Sequence, residues 1–231
     1  MARSTLLAVA TVLVGITGCQ SLPVLPDELS GQSTGAQTPQ RPAPVLGEKL
    51  PEGLPSRSSV HAHAAELLDA YLANTDAITS RGGVNPDEIA DVVTPEWIAQ
   101  EYRGFSEFER QQMRTLGRTT HDHLLVQSVR RLPSGQLEIA VFSCVDSRSV
   151  WVIPLDAPDP PDELHQWLND GSPALVDSDE TPAPWQDYID NVSPRPGRVD
   201  PVLLWLQGPD ERSMRLDFAD TWRGHHPCDE R

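Results

Sequence analysis

Basic charge is scarce in this chain. Eighteen Lys and Arg stand against 34 Asp and Glu, the formal net charge is −16, and Lys49 is the only lysine. So acidic a surface is repelled by nucleic acid and by anionic lipid headgroups, and neither is an expected partner. Long apolar runs are missing as well: none reaches the ~20 residues that a permanent membrane-crossing helix needs. Three cysteines stand far apart and form no C-x-x-C pair. There is no glycine-rich phosphate loop, no G-x-S-x-G and no H-E-x-x-H. The short signatures of nucleotide binding, serine hydrolysis and zinc proteolysis are therefore absent, and no cofactor or metal is implied.

What is present begins at the N-terminus. Arg3 supplies a small positive region, and residues 6–16 form an apolar run of eleven residues. Charge followed by a run of that length is the pattern of a secretory signal. The run closes on Ile16-Thr17-Gly18-Cys19, which resembles the lipobox of bacterial lipoprotein precursors. The resemblance implies that residues 1–18 are a signal peptide and that Cys19 is acylated through its sulfur as the first residue of the mature chain. An ordinary secreted protein with a chance cysteine is the alternative. The expected location is the extracytoplasmic face of the cell membrane, with the membrane itself the partner of Cys19. Each buried CH₂ of an acyl chain adds ~0.8 kcal/mol, so two or three chains hold far better than one. Removing the signal takes away Arg3 and moves the formal charge to −17.

Cys144 and Cys228 remain, in a compartment where disulfides persist. An even remainder makes one bridge between them the expectation, and two buried free thiols the alternative. The bridge would close a loop of ~85 residues and contribute ~4 kcal/mol by constraining the unfolded chain.

Residues 19–57 hold seven prolines and show neither a helical nor a strand period. They read as a disordered tether between the lipid and a domain over residues 58–231. In that domain, Val60, Ala64, Leu67, Leu68, Tyr71, Leu72 and Ile78 fall on one helical stripe, and Gly82-Gly83 ends it. Asn85-Pro86-Asp87-Glu88 and Thr94-Pro95-Glu96 are helix starts, and Ser106-Glu107-Phe108-Glu109 reads as a capping box. Three or four helical pieces are expected over residues 59–117. The period then changes to two. Strands are expected at 121–131, 136–145, 149–155, 201–207 and 212–222, with a Pro-Ser-Gly turn at 133–135. An acidic, proline-rich insertion at 157–200 separates the third strand from the fourth, and its Trp167, Trp185 and Tyr188 imply that part of it packs.

Helices followed by an antiparallel meander make an α+β fold. The long first helix, about five strands and the closing "DTWRGHHPC" resemble the NTF2-like cone domain, in particular the small cystine-containing lipoproteins of actinobacteria. There Cys144-Val145-Asp146 matches a strand ending in Cys-Val-Asp, and Trp222 with Cys228 matches the tryptophan-bearing last strand and final cysteine. The resemblance implies helices packed on a bent five-stranded sheet whose concave face holds a small molecule. Enzymes of that fold carry a proton on an aspartate or histidine inside the cone.

Candidates for such chemistry are few. Strand alternation places His121 and His123 on one face, ~6–7 Å apart, where they could move protons or begin a metal site, although no third ligand is placed by the sequence. On the last strand Asp220 shares a face with Met214, Leu216, Phe218 and Trp222, a setting that would raise its pKa and suit a general base. Each candidate has a plain counterpart: a polar strand entry for the histidines, a strand-end carboxylate bonded to water or an amide for Asp220. The pairs His61/His63 and His225/His226 read as solvent-exposed, and Asp177-Ser178-Asp179-Glu180 as a solvated turn without EF-hand spacing. The leading expectation is a non-catalytic binding module that takes an extracytoplasmic protein or a ligand. A cone isomerase, dehydratase or cyclase using Asp220 with a histidine is the second, and a carrier of a small apolar molecule the third.

Overall fold

The computed structural model describes residues 54–170, 183–222 and 228. Cys19, the signal segment, residues 177–180 and His225-His226 lie outside the described residues.

Helix α1, Arg57–Ser80, starts where the Ser56 side chain accepts the Ser59 amide at 3.2 Å. Its buried stripe carries Val60, Ala64, Leu68, Tyr71 and Leu72, spaced three to four apart as one helix face requires. It ends at Gly82 and Gly83, both at positive φ, where the Gly83 amide reaches back to Ile78 O at 3.0 Å. A Cβ on Gly83 would lie 2.1 Å from Phe105 O, so glycine also permits the next helix to approach.

A single 3₁₀ turn, Pro86–Ile89, follows, and helix α2 spans Pro95–Gln111. Ser106 is internal to α2 and caps nothing. Glu101, Phe105 and Phe108 keep one buried face running through it, and only Gln112, at φ 53°, stops the helix.

The next four residues, Met113–Leu116, form strand β1 and not the end of a helix as the sequence suggested. The remaining strands are β2 (Thr120–Arg131), β3 (Leu137–Asp146), β4 (Trp151–Pro154), β5 (Arg195–Pro196), β6 (Val199–Gly208) and β7 (Arg215–Thr221). They form two antiparallel sheets, β2-β3-β6-β7 and β1-β4-β5, where the sequence reading expected five strands in one.

The reason is a shared crease. β1 runs through Gly117 into β2, β3 through residues 147–150 into β4, and β5 through Gly197 into β6. At the crease a Cβ on Gly117 would stand 2.0 Å from Ser149 O, and one on Gly197 2.2 Å from Ser147 O. The Ser149 hydroxyl donates to Arg118 O at 2.7 Å, and the Ser147 hydroxyl to Arg198 O at 2.8 Å. Glycine lets the neighbouring backbones touch, and serine replaces the ladder bonds lost at the turn.

The main core lies between α1 and the inner face of the larger sheet, where Ile139, Val141, Val202, Leu204 and Leu216 are buried. β3 is buried on both faces, because Phe142 and Cys144 on its outer side are covered by Trp222 and Cys228.

A second core forms inside the 157–200 insertion. Helices α3 (Asp162–Asn169) and α4 (Ala183–Val192) place Leu164, Leu168, Tyr188 and Ile189 over Leu116, Trp151 and Ile153 of the smaller sheet. The tryptophans expected to dock this segment do so: Trp167 and Trp185 meet at 5.4 Å between ring centroids at the edge of that core.

Candidate functional site

Two irregularities decide where the sequence-derived candidates fall. In β2 the register with β3 slips between Asp122 and Leu125, and His123 sits in the slip at φ 48°. Alternation is broken there, so the two histidines part. His121 turns toward α1, its Nε2 3.1 Å from Asp69 Oδ1, while His123 is exposed.

In β7 the partner of Trp205 is Phe218 and that of Leu206 is Leu216, which leaves Asp217 as an extra residue. Leu216 and Ala219 therefore face the core, whereas Asp220 pairs with Leu203 on the outer face. Asp220 accepts the Thr221 amide at 2.8 Å. Its strand stands three places from β2, about 14 Å at ordinary strand spacing. The structure does not bring Asp220 and either histidine together. His61 and His63 bond to carbonyls, Nε2 to Leu124 O at 3.0 Å and Nδ1 to Ser59 O at 2.8 Å.

The expected bridge is present, with Cys144 and Cys228 joined at a Cα–Cα distance of 5.8 Å. It seats residue 228 against Phe142 and Trp222 on the outer face.

The residues that do converge were not among the candidates. Between α1, α2 and the crease lies a cavity of about 90 Å³, walled by Leu72, Phe105, Phe108, Val145, Val150 and Val152. Set into this apolar wall are Tyr71 and Thr75 of α1 and Glu101 of α2. Glu101 is 6% exposed, and its Oε1 accepts both the Tyr71 hydroxyl at 3.0 Å and the Trp97 indole N–H at 2.5 Å. Nothing among the described residues bonds its Oε2. Burial pushes the Glu101 carboxyl up to about 7, against the opposing pull of the two donors. The same burial, reinforced by the charge of Glu101, holds the Tyr71 phenol well above its ordinary value. The Thr75 hydroxyl comes near enough to Tyr71 to offset this slightly, yet its oxygen is buried and closes no hydrogen bond.

Two further carboxylates line the cavity and both are occupied. Asp76 takes the Thr119 amide and hydroxyl, each at 2.7 Å, while burial raises its pKa. Asp200 takes Arg198 Nε at 2.7 Å. The described lining contains no Lys, Arg or His.

Sequence did carry a signal for Glu101. It falls four residues after Trp97 and four before Phe105, so a carboxylate sits on the apolar stripe of its helix.

Among the described residues no group of three His, Cys, Asp or Glu is arranged to hold a metal ion, and no helix is long and apolar enough to cross a membrane.

No protein-family model matches the sequence, and no curated protein matches it. Among solved structures, the chain is similar to a periplasmic fragment of TraM at 10% identity, with a TM-score of 0.40 over 73% of this chain and 98% of that one. It is also similar to the intermembrane space region of the chloroplast protein ARC6 at 7% identity, with a TM-score of 0.36 over 71% and 97% of the two chains.

Proposed function

We propose that this chain is a lipoprotein anchored through Cys19 on the extracytoplasmic face of the membrane, and that its α+β domain is a non-catalytic binding module. The apolar run closing on Ile16-Thr17-Gly18-Cys19 supports the anchor. The Cys144–Cys228 bridge supports an oxidising compartment. Helices packed on a creased antiparallel sheet support the NTF2-like cone as the architecture.

The observation that carries the binding role is the cavity under α1 and α2, an apolar chamber with a buried carboxylate in its wall. Asp220 and the histidines stand apart from it and from each other, which weighs against a proton-transfer pair built on them. Acidic groups in the wall weigh against a carrier of a wholly apolar molecule.

The anchor is tested by growth of cells expressing the chain on radioactive palmitate. Wild type takes up label and sediments with membranes, and Cys19→Ala takes up none and stays as the uncut precursor. An unlabelled wild type would end the lipoprotein reading.

A further inference from the structure

Among the carboxylates of the cavity, Glu101 alone lacks a counter-charge. Asp200 has Arg198, and Asp76 has Thr119 and the nearby positive charge of Arg118. Buried carboxylates are stable when paired or fully hydrogen-bonded. Glu101 has both protein donors on Oε1, and Oε2 is left over. A second oxygen able to accept, Thr75 Oγ1, is buried without a bond near the same tyrosine. Gln100, next to Glu101 in α2, lines the chamber too, but its Oε1 already accepts from Arg103. The chamber thus presents two oxygens able to accept, Glu101 Oε2 and Thr75 Oγ1, inside an apolar wall whose lining includes no cationic side chain.

We infer that this cavity binds a small primary ammonium ion with an apolar body, two of its N–H donors directed to Glu101 Oε2 and Thr75 Oγ1. An ammonium head has three donors and no acceptor, which complements the set. Phe105 and Phe108 add aromatic surface that tolerates a cation and contacts a hydrocarbon tail. Carboxylates and phosphates are excluded by repulsion, and a purely apolar guest would leave Glu101 Oε2 and Thr75 Oγ1 unbonded. Size narrows the class further. About 90 Å³ is less than the ~150 Å³ that admits benzene, which suits a short-chain amine of about four or five heavy atoms. This names the ligand chemistry of the binding role proposed above, and rests on that role without needing the lipid.

The probe is n-butylamine, with n-butanol and butyrate as uncharged and anionic counterparts of the same length. The readout is the indole N–H resonance of Trp97 in full-length, ¹⁵N-tryptophan-labelled protein, assigned by its loss in Trp97→Phe. Trp97 bonds Glu101 directly, so its indole senses what happens at the carboxylate. At pH 8 butylamine should shift this resonance saturably. Butanol should bind at least tenfold more weakly, and butyrate should not bind.

Lowering the pH to 5.5 protonates Glu101 and should weaken the amine at least tenfold. The other titratable groups at the chamber are Asp76 and Tyr71 from α1 and Asp200 from β6, the last beside Arg198; Tyr71 stays neutral across this range.

Glu101→Gln keeps an acceptor for Trp97 and Tyr71 and should abolish saturable binding. Gly104→Leu leaves Glu101 in place and fills the chamber, because a Cβ at Gly104 meets nothing within 4 Å. It should abolish binding too. No saturable shift with butylamine, or an undiminished one in Glu101→Gln, overturns the assignment. Absent amine binding in a palmitate-labelled protein would sink this inference and leave the anchor standing. Saturable binding by an unacylated protein would do the reverse.

Discussion

The Tyr71 hydroxyl donates to Glu101 Oε1 at 3.0 Å across the gap between α1 and α2, joining two groups that burial drives toward their neutral forms. Above pH 7 the domain must hold a buried carboxylate with only these donors and Trp97 to stabilise it. Below that, the folded chain takes up a proton that the unfolded chain, titrating near 4.5, does not yet hold. The contribution of Glu101 has one sign: it is fully present below about pH 4.5, falls as pH rises from there to about 7, and then levels off. A rise from 4.5 to about 7 is worth about 3 kcal/mol. Asp76 adds a contribution of the same sign.

Urea unfolding across pH 5 to 8 should therefore show declining midpoints for the wild type. Glu101→Gln should flatten the decline and exceed the wild type at pH 8. A midpoint that rises through this range in the wild type, and in parallel in Glu101→Gln, would refute the buried-acid account.

Removing the bridge should cost stability. Cys144 and Cys228 are 84 residues apart, a separation at which loop constraint is worth about 4 kcal/mol. Cys144→Ser with Cys228→Ser should melt on the order of 10 °C lower in calorimetry. It should also uncover the outer face, because Trp222 and Cys228 together cover Phe142. Mass spectrometry of the unreduced wild type should give a domain two hydrogens lighter than the reduced one. Two titratable thiols in the folded wild type would contradict this.

Two glycines should respond in opposite directions to one added methyl. Gly104 lies within α2 with open space where its Cβ would be, so Gly104→Ala should gain about 0.5–1 kcal/mol from helix propensity. Gly117 has φ 91° and a Cβ there would collide with Ser149 O, so Gly117→Ala should lose on the order of 2 kcal/mol or more. Chemical denaturation of both variants checks the pair. Equal effects would mean that the crease is not held as described.

Asp220→Asn should change unfolding free energy by less than about 0.5 kcal/mol, since an amide oxygen can still accept the Thr221 N–H. His121→Ala should lose somewhat more than His123→Ala, because His121 is half-buried against Asp69 and His123 is exposed. The order is read from thermal midpoints, and the reverse order would count against the slip at His123.

Much of this architecture can be read directly from the residues. Alternation and a Pro-Ser-Gly turn place β2 and β3 within a residue of their observed bounds, and the count of cysteines names the bridge. β1 escapes because four residues are too few to display a period, and its partner β4 lies beyond two intervening strands. Strict alternation puts Asp220 on the inner face, but one extra residue, Asp217, reverses every side chain after it, and a bulge leaves no mark in the sequence when its residue is ordinary. Glu101 is legible in the sequence: a charged residue on a buried stripe is the kind of exception that marks a site.

The crease has a consequence for the chamber it overlooks. Ser147 and Gly197 are part of the wall, whereas Gly117 and Ser149, in the same row, touch the sheet but not the opening. A sheet left straight would lie flush against α1 and α2 and leave no room between them. The space is thus a by-product of folding the sheet over, and its width is governed by backbone approaches of glycine to serine at two neighbouring points. Altering Gly117 or Ser149 would resize the chamber from outside, changing which guests fit without replacing any group that a guest could touch.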